Sequence, residues 1–129
     1  MFIKLFQHIE PERIIFNISS GAANKDIEGW AAYCASKLAL DRFTTVCAQE
    51  QTHKIHPISI HSVSPGVIDT AMQAEIRTAS KEQFPSLDHF VGLHRNGELL
   101  SADVAAEKII VLLNRANFRS NSLLSLRNL

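Results

Sequence analysis

Tyr33 and Lys37 stand four residues apart in an alanine-rich stretch, WAAYCASKLALDRF, and Ser20 lies thirteen residues before the tyrosine. In a helix that spacing puts both side chains on one face, one turn apart. A phenol ordinarily titrates near a pKa of about 10, so proton transfer near neutrality requires its anion to be stabilised. An ammonium one helical turn away does this by charge proximity. A serine hydroxyl at the end of a neighbouring strand can hold a substrate oxygen against the tyrosine. Together the three groups point to proton transfer at an oxygen. Each also has a plainer reading: Tyr-x-x-x-Lys on a helix is commonly a surface pair, and two serines before a glycine are commonly a turn. What favours chemistry is the joint order of strand, serine, tyrosine, lysine, second strand and Pro65-Gly66.

The elements that must position these groups can be read along the chain. Residues 1–9 have helical spacing, with Phe2, Leu5, Phe6 and Ile9 recurring, and resemble the last turns of a helix. Arg13–Ser19 is a continuous apolar run, as expected of a strand covered on both faces in a parallel sheet. The longest helix is expected from about Gly29 to Gln51, with Leu38, Phe43, Val46 and Cys47 as its larger apolar contacts. His56–Val63 reads as a second buried strand ending in the turn Ser64-Pro65-Gly66. Thr70 is placed as an N-cap, with Gln73 completing a capping box for a helix to about Ser80. An irregular, mobile stretch to Gly97 follows. Ser101 then caps a helix over Ala102–Asn114, with Val104, Ile109, Ile110, Leu112 and Leu113 on its core side, and Ser122–Leu126 is a last short strand.

Strands alternating with helices imply parallel strands joined by crossovers, an α/β sheet. Three strands are few for such a sheet, so the chain reads as the second half of a domain. In open α/β sheets ligands bind at the carboxyl ends of the strands, which is where Ser20 and residues 64–70 fall.

The 129 residues suffice for one core, and 46% of them are hydrophobic. Thirteen basic residues balance thirteen acidic ones, which argues against a nucleic-acid footprint or a polybasic membrane patch. No signal peptide and no apolar run long enough to span a membrane is found. Cys34 and Cys47, thirteen apart in one helix, cannot meet in a disulfide, so reduced thiols in a soluble cytoplasmic protein are expected. The six histidines have no metal-ligand spacing and read as ordinary surface or loop residues.

The stretches NISSGAA, YCASK and SVSPGVIDT resemble the short-chain dehydrogenase/reductase family, whose active-site half carries N-[VI]-S-S, Y-x-x-[SA]-K and P-G-x-x-x-T. The likeness runs over residues 1–127 in element order. GAANKDIEGWAAYCASK and DTAMQAEIR are similar to the benzil reductase/sepiapterin reductase-like branch. The resemblance implies a partial doubly wound, Rossmann-like parallel sheet lacking its N-terminal strands. It implies an oxidoreductase using NADP or NAD, with NADP favoured, on a small-molecule ketone or dicarbonyl. Tyr33 would be the general acid/base, Lys37 would lower its pKa and bind the nicotinamide ribose, and Ser20 would orient the carbonyl beside its structural neighbour Ser19. Pro65, Gly66, Ile68 and Thr70 would hold the nicotinamide, and residues 71–95 would form a lid over the substrate. A homodimer through the long helix is expected.

The family's glycine-rich phosphate turn, its cofactor-selecting residue and the asparagine of the preceding helix have no counterpart in the 129 residues. The chain by itself is accordingly expected to be marginal or to associate through exposed apolar surface, and to bind no nicotinamide tightly. Micromolar binding of NADPH by the isolated chain would refute that. The contrasting reading is a truncated, inactive fragment serving at most as an interaction module. An intact mass near twice 14.4 kDa for the natively made protein decides for the enzyme.

Overall fold

In a computed structural model, residues 2–115 and 118–128 are described. Three strands, β1 (Ile14–Ile18), β2 (Ser59–Ser64) and β3 (Leu123–Ser125), form a parallel sheet in the order β1-β2-β3. Ile14 to Ile18 pair with Ser59 to Val63, and Ser62 to Ser64 with Leu123 to Ser125. Parallel neighbours cannot be joined by a hairpin, so the chain crosses over through helices. Preceding β1 is α1 (Phe2–Phe6); α2 (Ala31–Gln51) links β1 to β2. Between β2 and β3 lie α3 (Ala71–Ile76), α4 (Leu87–Arg95) and α5 (Ala102–Leu113). The expected α/β alternation is present.

Alternating Cβ directions divide the sheet into two faces. On one, Ile58 and Ile60 are buried with Cys47 of α2, and Ile3, Phe6 and Ile15 pack against them. Arg13 ties α1 down, donating to the carbonyls of Phe6 and His56, the latter at 3.0 Å. On the other face Val63 is buried with Ala105, Leu112, Phe118 and Leu126.

The inner face of α2 differs from the expected one. Leu38, Phe43 and Val46 point outward, at 51%, 58% and 46% exposure, and only Cys47 of that set is buried. Asp41, Thr44, Cys47 and Gln51 face inward. The polar members of this seam, Asp41, Thr44 and Gln51, are tolerated because they are paired. Asn17 Nδ2 donates to Thr44 Oγ1 at 2.9 Å, Ser62 Oγ to Asp41 Oδ1 at 2.6 Å, and the Ile58 N–H to Gln51 Oε1 at 3.0 Å. On α5, Ser101 caps as expected, accepting from the Val104 N–H at 3.2 Å. Val104 and Ile110 are nevertheless exposed, so the buried stripe is narrower than the apolar one.

Two further expectations are corrected in the second crossover. The helix after Thr70 stops at Ile76, not near Ser80, and the stretch taken as irregular contains α4. Pro85 precedes that helix and Gly92 lies inside it, and these two residues mask an amphipathic segment whose Phe90 is buried.

His61 is a core residue, not a surface one, at 2% exposure on β2. Its ring lies 5.4 Å from Phe16 and 5.1 Å from Phe118, and Nδ1 donates to the Asn121 carbonyl at 2.8 Å. Burial pushes its pKa below the ordinary histidine value of 6.5; the Asn121 bond opposes this and the Arg119 charge adds to it. The unfolded chain therefore takes up this proton first. The stability the neutral ring provides is complete above about pH 6.5 and is lost as pH falls through the lower folded value. His61→Phe should flatten the acid-side loss in urea midpoints measured down to about pH 5. The same pH slope in variant and parent would clear His61 of that role.

Candidate active site

Where β1 ends, the Ser19 N–H donates to the Val63 carbonyl at 2.8 Å, the last rung of the ladder. Ser20 then leaves the sheet and caps a short 3-10 turn over Gly21–Asn24, its Oγ accepting from the Ala22 N–H at 3.2 Å. The hydroxyl is thereby held at the carboxyl end of the sheet. Ser19 beside it is buried, and its Oγ has no partner among the described residues.

Tyr33 and Lys37 sit half-buried on one face of the first turns of α2. Lys37 Nζ donates to the Ile18 carbonyl at 2.9 Å and lies 5.8 Å from the centroid of the Tyr33 ring. Because Ser19 points its N–H at β2, the Ile18 carbonyl faces the other edge of β1. The lysine thus satisfies a strand-edge acceptor and stays beside the phenol.

The second loop follows β2. Gly66 has φ +90°, a conformation that favours glycine. A Cβ there would meet Arg127 Nε and Leu100 Cδ1 only at 3.9 Å, so space is available and strain is confined to the backbone. Gly66→Ala should therefore cost about 1–2 kcal/mol, read as a lower denaturation midpoint. Unchanged stability would mean that the loop adapts freely.

Beyond it, the Leu100 N–H donates to the Val67 carbonyl at 3.0 Å and the Asp69 N–H to the Leu100 carbonyl at 2.8 Å. Ile68, bridged to Leu100 between them, keeps its own N–H and C=O out of these two bonds. Thr70 occupies the N-cap position of α3, but its side chain makes no capping bond, so the expected capping box is not formed. Gln73 turns inward instead, at 7% exposure, and its Oε1 has no partner among the described residues.

Ser20, Tyr33, Lys37, Pro65, Gly66, Ile68 and Thr70 all line one cleft of about 490 Å³. All the residues singled out from the sequence are thus brought together. The cleft also has walls that the sequence reading missed. Trp30, one turn before Tyr33, stacks on Phe84 at 4.9 Å and 11°, lies 5.0 Å from Phe90, and meets the Tyr33 ring at 5.1 Å and 71°. Gly29, with φ +84°, permits this approach, since a Cβ there would stand 3.3 Å from the Gln83 carbonyl. The i, i+3 spacing of Trp30 and Tyr33 is the one local signal that could have revealed the wall. Among the described residues no three His, Cys, Asp or Glu side chains gather to hold a metal, and no helix is long and apolar enough to cross a membrane.

Against this geometry, comparison with known proteins is informative. The family profile described as short chain dehydrogenase matches residues 4–81. The benzil reductase ((S)-benzoin forming) of Bacillus cereus is 40% identical over 117 residues, which are 91% of this chain and 47% of that protein. The sepiapterin reductase of Rattus norvegicus is 34% identical over 111 residues, 85% of this chain and 40% of that one. The crystal structure of the KRED1-Pglu enzyme matches with a TM-score of 0.74 at 32% identity, covering 86% of this chain and 46% of that one. The chain thus spans about half the length of the curated relatives it matches.

Proposed function

The chain belongs to the short chain dehydrogenase family, and from that premise we propose that the protein is a carbonyl reductase that turns a ketone or dicarbonyl into an alcohol using a nicotinamide cofactor. The observation that carries this reading is the convergence of Ser20, Tyr33 and Lys37 with the 65–70 loop on one cleft. Ser20 Oγ hydrogen-bonds the substrate oxygen and holds it toward Tyr33. Tyr33 gives its hydroxyl proton to that oxygen as the carbonyl carbon is reduced, and regains a proton from solvent. The Lys37 charge steadies the phenol oxygen while the proton is away.

The residues present fit the nicotinamide end of the cofactor. Ile68 offers one N–H and one C=O, the donor and acceptor that a carboxamide needs, and the Thr70 hydroxyl is not used in capping. Tyr33, Lys37, Pro65, Gly66, Ile68 and Thr70 would hold that end, and when bound it supplies the hydride. NADP is favoured over NAD by resemblance alone.

The wall of Trp30 and Phe90 suits a flat aromatic ring beside the carbonyl, in keeping with relatives named benzil reductases. Residues 71–95, which contribute Gln73 and Phe90 to the cleft, would be the cover over that ring. The outward Leu38, Phe43 and Val46 of α2 support a homodimer, and the free Cys34 and Cys47 support a reducing, cytoplasmic compartment. The test is consumption of reduced nicotinamide by the natively expressed protein with 1-phenyl-1,2-propanedione, followed by absorbance. No consumption with either cofactor on any aromatic dicarbonyl ends the proposal.

A further inference from the structure

The chain as a whole is neutral, but the lining of the cleft is not. Lys25, Lys37 and Arg127 line it, and among the described residues no aspartate or glutamate does. Lys37 already has its place beside Tyr33; Lys25 and Arg127 have none. Both also line an adjoining pocket of about 480 Å³, where Lys108 joins them and Glu98 is the single carboxylate among the described residues. Glu98 accepts from the Asn96 side chain at 2.9 Å. The ion pairs of the described residues are Arg77–Asp69, Lys81–Asp88 and Arg119–Glu12, so among these residues Lys25, Lys108 and Arg127 have no carboxylate partner.

The fold puts these cations where they can act together. Lys25 follows the 3-10 turn beyond β1, and Arg127 follows β3, with Nε beside Gly66 in the loop beyond β2. They therefore face the cleft from the carboxyl ends of different strands. His89 lines both pockets beside them. Like charges sharing a concavity without counter-ions raise the local potential, and a bound anion relieves it. Arginine in particular presents a planar fork matched to a carboxylate.

We infer that the junction of the two pockets, between Lys25 and Arg127, is an anion subsite that receives a carboxylate on the carbonyl substrate. The substrate class is then an oxo acid whose ketone reaches Tyr33 while its carboxylate rests on the two cations. This rests on the reductase reading above and narrows it. A cofactor phosphate shares the same chemistry, so the experiment must separate the two sources.

Calorimetric titration of the chain with phenylglyoxylate, with its methyl ester and with nicotinamide mononucleotide does so. The acid should bind about tenfold more tightly than the ester, and rising salt should erode the difference. The Lys25→Gln/Arg127→Gln double variant should abolish that preference. Both side chains are exposed, so the fold is not at risk. Lys81→Gln, which removes a cation outside both pockets, should change nothing. Equal binding of acid and ester, a preference that survives the double variant, or no binding of the acid overturns the inference. So does mononucleotide that displaces the acid and binds more tightly, which assigns the cations to the cofactor. Turnover of the ester by the natively expressed protein is read separately. Reduced ester with no preference for the acid sinks only the subsite, whereas acid preference with turnover of neither sinks only the reductase.

Discussion

Tyr33→Phe in the natively expressed protein should lower carbonyl reduction by about 10²–10⁴-fold, the span a positioned general acid contributes. The substitution removes one oxygen atom and nothing else. The ring keeps its edge contact with Trp30 at 5.1 Å, and among the described residues the hydroxyl makes no hydrogen bond that the fold would miss. Stability should therefore be unchanged. The loss should fall on kcat, because ring and cleft still receive the ketone while the proton is missing only when charge builds on its oxygen. Binding can be followed through Trp30, the only tryptophan of the chain, which lies in the cleft. Turnover within tenfold of the parent, with the cleft intact by fluorescence, would pass the role of acid to another group.

The same tyrosine illustrates how far the site could be read in advance. Tyr33, Lys37 and Ser20 are separated by spacings that local geometry converts directly into places: one helix face, one strand end. The 65–70 loop was legible for the same reason, since a Pro-Gly pair after an apolar run marks the strand's carboxyl end. The inner face of α2 was not. Asn17 meets Thr44 from 27 residues away and Ser62 meets Asp41 from 21, and no periodicity within the helix shows that its buried stripe is the polar one. His61 was not legible either: nothing near it in the chain shows that Phe16 and Phe118, 45 and 57 residues away, close over it. The aromatic wall needed Phe84 and Phe90, more than fifty residues beyond Trp30, to fold back across it. Local chemistry was visible; what reaches it from a distance was not.

Phe118 carries the second large effect, and it too was unmarked in the sequence. It lies in a short 3-10 turn, Phe118–Ser120, just before β3, at 3% exposure. Its ring stacks on Phe16 at 6.2 Å, lies 5.1 Å from His61, and has the Arg119 guanidinium 5.3 Å from its centroid. It is thus the wedge that joins the end of the second crossover to the middle of the sheet, inside the cluster of Val63, Leu112 and Leu126. Phe118→Ala leaves a cavity that strand neighbours cannot collapse into, and should destabilise the chain by about 3–5 kcal/mol. Against a total of about 5–15 kcal/mol for a typical domain, that is a large share, readable as a lower urea midpoint. Phe118→Leu keeps most of the volume and should lose far less. A consequence separates a true cavity from simple loss of contact. Burial lowers the pKa of His61, and the same ring provides part of that burial, so Phe118→Ala should raise the His61 titration toward the ordinary histidine value in an NMR pH series. Were the midpoint to fall while His61 titrated as before, the ring would be bracing the crossover without sealing the histidine from water.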